Sequence, residues 1–228
     1  MPAVSRNIGI REFQSFISQV YGLPNDRHFE LAEMHGNIQR FAMRGLKGIR
    51  KGDPDRIKKN MVISFSWFIS TMNRLHIDIE DEVWTRFPHL CSYCGSCPCR
   101  CKSQRVAERQ QVVIDATRRP ASLAEYQSMF AQIYPASGRT LEHAGVHLSE
   151  EVGELTEAIL AYRGERTSED FDNLMLEAAD YFSCVMGVFN SMTVDFAHEL
   201  ATFYPENCHA CHRAPCVCSY VIIKKYKS

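Results

Sequence analysis

The chain has 228 residues, 45% hydrophobic and 23% charged, so it can bury a real core and is neither fibrous nor low in complexity. Its formal net charge of −1 excludes the bulk electrostatic binding of nucleic acid or membrane surfaces seen in strongly basic chains. No stretch approaches the roughly 20 uninterrupted apolar residues that span a bilayer, and the opening MPAVSRNIGIREF lacks a secretory apolar run, so a cytoplasmic location is expected.

In chain order, EFQSFISQVYG (12–22) predicts a short helix, and FELAEMHGNIQRF (29–41) a longer one. GLKGIRKGDPD (45–55) is a glycine-rich break before the next helix, FISTMNRLHIDIEDE (68–82) continues, and FPHLCSYCGSCPC (87–99) closes in a cysteine knot. Residues 102–121 are polar and charged and predict a linker. Beyond it the series returns: EYQSMFAQIYP (125–135), EEVGELTEAILAY (150–162), MGVFNSMTVDFAHEL (186–200) and FYPENCHACHRAPCVC (203–218). Glu12/Glu125, Gln14/Gln127, Ser15/Ser128, Gln19/Gln132 and Tyr21/Tyr134 are identical, and Asp78 stands opposite Asp195. Four segments in one order predict a tandem duplication, with units 1–101 and 122–228 ending in knots at 87–101 and 203–218.

Leu148, Val152, Leu155, Ile159 and Tyr162 recur at helical steps, as do Leu174, Ala178, Tyr181, Phe182, Val185 and Val188. Alternating strand patterns are lacking. The expected fold class is all-α.

Glu151 and Glu154 lie three residues apart on one helical face, and Glu177 and Asp180 repeat that spacing on the next long helix. A solvated face is the ordinary reading of one such pair. Two pairs inside strongly apolar helices are different, because unpaired charge there is costly. If the helices pack antiparallel, the pairs meet across one groove, and their hard oxygens suit Mg²⁺ or Mn²⁺.

The pattern Glu151-Val-Gly-Glu154 followed by Glu177-Ala-Ala-Asp180, with Glu150 and Leu155 flanking the first part, resembles the MazG-like all-α NTP pyrophosphohydrolases over residues 122–195, and more weakly over 10–80. The resemblance implies a Mg²⁺-dependent helical bundle that splits a nucleoside triphosphate into a monophosphate and pyrophosphate. It implies Glu151, Glu154, Glu177 and Asp180 as metal ligands, and Glu150 or Glu151 as the base that activates water. It also implies a monomeric pseudo-dimer or a homodimer. In the first unit Glu30 and Glu33 take the ExxE positions, but Asn60 and Ile63 stand opposite Glu177 and Asp180, so that unit is expected to have lost its site and to serve as a packing partner.

Basic residues are sought next. Lys58 and Lys59, in the run RGLKGIRKGDPDRIKK (44–59), are candidates for clamping the triphosphate across the two units, although a solvated face is the blander reading. Arg163 and Arg166, beyond the first metal helix, are the nearer candidates in sequence.

Nine of the ten cysteines fall in the knots. Cys91, Cys94, Cys97 and Cys99, with Cys101 left over, and Cys208, Cys211, Cys216 and Cys218 each offer four thiolates for a closed structural zinc site. His89, His209 or His212 can replace a cysteine, and an iron–sulfur cluster is the minority alternative. Cys184, among apolar neighbours, reads as a buried filler. The rival functional class is a non-catalytic zinc protein binding nucleotide or nucleic acid, for which the knots and the basic tail IIKKYKS (222–228) speak.

Overall fold

The computed structural model describes residues 3–104, 106, 108–110 and 112–226. Among these there are helices and no strands, so the all-α expectation holds. The main helices are α1 (Ile10–Ile17), α2 (Leu23–His28), α3 (Leu31–Lys51), α4 (Pro54–Arg74), α5 (Ile79–Arg86), α6 (Cys101–Gln104), α7 (Leu123–Ile133), α8 (Leu141–Glu165), α9 (Ser168–Ser191), α10 (Phe196–Phe203) and α11 (Tyr220–Lys225). A π-helical turn, Ser18–Gly22, joins α1 to α2. None of the helices searched is long and apolar enough to cross a membrane.

Local chemistry explains where the long helices begin and end. Asp53 accepts a hydrogen bond from Arg56 N–H at 3.0 Å to start α4, and Thr167 accepts one from Asp170 N–H at 3.0 Å to start α9. The preceding helices each close on a left-handed residue, Gly52 at φ 63° and Arg166 at φ 55°. Glycine takes that conformation freely, and Arg166 takes it at some cost.

The two hairpins, α3–α4 and α8–α9, pack against each other through α3 and α8, while α5 lies on α9 and α10 on α4. Each unit therefore lends its short helix to the other. Gln14 donates to Asn73 Oδ1 and the Ile77 carbonyl, and accepts from Ile79 N–H. Gln127 does the same with Asn190, Val194 and Phe196. These glutamines are buried, so the two matching networks satisfy amides that water cannot reach.

A shared core lies between the hairpins. Phe65 meets Phe182 at 5.5 Å and Phe196 at 4.9 Å between ring centroids, and Phe68 meets Tyr181 at 4.7 Å. All five rings are essentially fully buried, each contributing roughly 1.5–3 kcal/mol of apolar transfer. The Tyr181 hydroxyl is satisfied by Ser64 Oγ at 2.9 Å.

The first-unit match needs correcting. Glu30 is the N-cap residue of α3 and Glu33 reaches back to the Glu30 N–H at 2.9 Å, so the pair sits at the helix start, where the Glu33 carboxylate serves the backbone. Aligned on Gly52 and Arg166, α3 places Asn37 and Arg40 opposite Glu151 and Glu154. The sequence match was displaced by about two turns. Apolar positions repeat nearly every seven residues on a helix, so such a shift keeps the same buried pattern.

Candidate functional site

The α8–α9 hairpin brings Glu151, Glu177 and Asp180 together, one carboxylate oxygen from each lying within 4.8 Å of the others. Glu154 borders Glu177 from an exposed position, outside that closest group. Oε2 of Glu151 and Oε2 of Glu177 are buried without a hydrogen-bond partner. Burial, and then the neighbouring Asp180 charge, pushes the Glu151 carboxyl up to about 8 and that of Glu177 up to about 7.

One cation faces them. Arg86, carried by α5 of the first unit, donates from Nε to Asp180 Oδ1 at 3.1 Å and from its terminal nitrogen to Oδ2. The Arg86 side chain is only 8% exposed and that of Asp180 16%, so the pair is well shielded from water. A second cation, Arg139, lies over the Tyr134 ring at 5.4 Å. Its guanidinium also lies against Gly187, two turns along α9 from Asp180. Burial holds the Cys184 thiol well above its usual range, in keeping with an apolar filler.

Unpartnered carboxylate oxygens of this kind are what a hard divalent cation would satisfy, and the donor set fits Mg²⁺ or Mn²⁺. Both folded carboxyl values lie above the ordinary 4.5. Their contribution to stability is therefore fully present below that value and is lost as pH rises through about 7 and 8. An ion that holds the ionised forms reverses the loss. Millimolar Mg²⁺ should accordingly raise Tm by several degrees at about pH 8.5 and by much less at about pH 5. Equal shifts at the two values in scanning calorimetry would show that these groups do not hold the ion.

Other expected site residues lie elsewhere. Glu150 is exposed and pairs with His147 at 3.2 Å, because one helical step turns it about 100° away from Glu151. Lys58 is engaged by Asp55 at 3.0 Å and Glu199 at 3.6 Å, and Lys59 stands 5.5 Å over the Tyr226 ring. Lys59 thus belongs to the groove of the first unit, and Lys58 ties α4 to α10. Arg163 and Arg166 are exposed at the far end of α8, and Arg163 lies roughly 14 Å along the helix axis beyond Glu154. The cations that do accompany the carboxylates, Arg86 and Arg139, carry no local sequence signal. They arrive by packing.

In the first knot the four clustered thiols are Cys91, Cys94, Cys99 and Cys101. Cys97 is exposed and outside the group, so the expected ligand set is corrected by one member. The second knot is Cys208, Cys211, Cys216 and Cys218, as expected. Both now read Cys-x₂-Cys-x₄-Cys-x-Cys. That identity was visible in the spacing and settles which thiol is spare. Sulfur separations of 3.7 and 4.0 Å in one knot, and 3.9 and 3.8 Å in the other, match the roughly 3.8 Å edge of a zinc–thiolate tetrahedron with bonds near 2.3 Å. Each group could hold a zinc ion.

Backbone amides point at sulfur in each knot, although burial holds the Cys99 thiol, and the Cys208 hydrogen bond and then burial the Cys216 thiol, above their usual range. Cys101 N–H points at Cys99 Sγ and Cys218 N–H at Cys216 Sγ, at 3.5 and 3.4 Å. The Cys208 thiol is drawn down to about 4, chiefly by its hydrogen bond with Cys216, against burial. Each knot is also tied to the opposite unit. Cys99 N–H donates to the Ile133 carbonyl and Cys216 N–H to that of Val20, each at 2.7 Å. Tyr134 donates to Cys91 Sγ at 3.5 Å, while its counterpart Tyr21 bonds His209 at 3.2 Å.

No family model, curated protein or solved structure matches this chain.

Proposed function

We propose that the chain is a Mg²⁺-dependent nucleotide pyrophosphohydrolase that converts a nucleoside triphosphate to a monophosphate and pyrophosphate, as the MazG-like resemblance of its second unit implies. The observation carrying this reading is the convergence of Glu151, Glu177 and Asp180 with two buried oxygens that lack partners. We read the molecule as a fused duplicate in which the second unit holds the ion and the first completes the groove with Arg86. The knots then hold two structural Zn²⁺ ions that fasten the units to each other.

Glu151, Glu177 and Asp180 would hold magnesium, with Glu154 beside them; the ion offsets charge on the phosphate oxygens and lowers the proton affinity of water. Glu151, ionised when the ion is held, would take the proton from the attacking water. The water oxygen bonds to the α-phosphorus, the bond to the α–β bridging oxygen breaks, and the electron pair leaves with pyrophosphate. Arg86 fixes the orientation of Asp180 through two hydrogen bonds, and Arg139 adds positive charge at the edge where anionic phosphates enter.

Incubation of the full chain with each common ribo- and deoxyribonucleoside triphosphate, in Mg²⁺ or Mn²⁺, tests the reading. Pyrophosphate from a coupled assay and monophosphate from chromatography should appear in equal amounts. Release of orthophosphate alone, or no turnover together with a shift of labelled oligonucleotides, would sink it and favour the binding-protein alternative.

A further inference from the structure

The first unit has a groove at the position where the second gathers carboxylates, but with the opposite charge. Arg40, Ile63 and Ser66 stand there in place of Glu154, Glu177 and Asp180. A cavity of about 60 Å³ is walled by Tyr21, Phe41, Trp67, Tyr204, His209 and Tyr226. Tyr226, just past α11, packs its ring into this aromatic cluster. Its ring centroid lies 5.2 Å from that of His209 and 6.3 Å from that of Phe41, with the Lys59 ammonium 5.5 Å above it. Its backbone carbonyl accepts from Arg40 at 2.7 Å and Arg44 at 3.2 Å.

Among the described residues no carboxylate pairs with Arg40, Arg44 or Lys59. Two guanidiniums therefore converge on one neutral oxygen. Hydrogen bonds from a guanidinium to an anionic oxygen are roughly twice as strong as those to a neutral one, and the planar fork matches phosphate. Around the fork, aromatic walls offer faces on which a flat ring stacks.

We propose that this groove is a second binding site, independent of divalent metal, for a nucleoside phosphate, and that the chain's own C-terminal segment occupies it as a placeholder. The base replaces the Tyr226 ring and a phosphate replaces its carbonyl on the Arg40–Arg44 pair. The remaining cavity admits little more than water, so ligand enters only as the tail leaves. The tail is suited to leaving. α11 spans only Tyr220–Lys225, and so short a helix is not stable without its docking contacts. Its principal aromatic contact besides Tyr226 is Tyr220 against Phe29 at 5.6 Å. This site does not depend on the catalytic reading of the acidic groove.

Fluorescence titration of the full, zinc-loaded chain with a mant-labelled ATP, in buffer lacking magnesium and chelator, tests the proposal. Tyr226→Ala should bind about tenfold more tightly than the unmodified chain, since the competing ring is gone. The double variant Arg40→Ala, Arg44→Ala should weaken binding at least about tenfold, and inorganic triphosphate should compete. Glu151→Gln should leave this affinity unchanged. Circular dichroism and zinc content confirm that each variant is folded. Binding that needs Mg²⁺ and disappears in Glu151→Gln would overturn the proposal, as would indifference to the arginine pair, or capture of phosphotyrosine but not of the nucleotide.

Discussion

Glu151→Gln should lower kcat by at least about a hundredfold while making the metal-free protein more stable. The substitution keeps shape and removes charge from a carboxyl whose Oε2 is buried and without partner beside Asp180 and Glu177. At neutral pH the metal-free native state holds that carboxyl protonated against its ordinary tendency, at a cost to stability. Glutamine avoids the cost and still offers an amide to the neighbouring acids. In a chain of this size each kcal/mol recovered raises Tm by roughly 2–4 °C, so calorimetry without divalent ions resolves the gain. Opposite movement of activity and stability is the signature of a site that tolerates repulsion for its chemistry. If activity and stability fall together, Glu151 is a packing residue; if activity survives, the groove is not where turnover occurs.

Cys101→Ser should release about one of two zinc ions per chain and lower Tm sharply, whereas Cys97→Ser should change neither. Cys101 belongs to the first thiol group and Cys97 is exposed outside it. The stability loss extends beyond the knot because Cys99 N–H donates to Ile133 and Tyr134 to Cys91, both in the other unit. Freeing those thiols loosens the clasp between units as well as the loop. Metal analysis of the two variants, with thermal unfolding on the same samples, decides the point. A zinc content lowered by Cys97→Ser and untouched by Cys101→Ser would contradict the ligand set.

Much of this was legible in the residues. Helical class follows from apolar steps such as Leu148, Val152, Leu155 and Ile159, because a turn of 3.6 residues acts over a few positions. Glu151, Glu177 and Asp180 were found for the same reason, each acidic pair sharing a face by its spacing. The caps Asp53, Thr167, Asp78 and Asp195 also act locally. The choice of Cys101 over Cys97 was readable too, since the interval from Cys91 to Cys101 equals that from Cys208 to Cys218. Spacing within each knot taken separately hid it.

What the chain determined alone, then, is short-range: helix faces, helix ends, the repeat and its thiols. Packing decided the rest. Arg86 meets Asp180 only because α5 crosses to the other unit, and Lys58 meets Glu199 only because α10 crosses back onto α4. Even the register of α3 against α8 was open, since a shift of about two turns buries the same face. Contacts between distant residues depend on how whole surfaces fit together, and no local period encodes that.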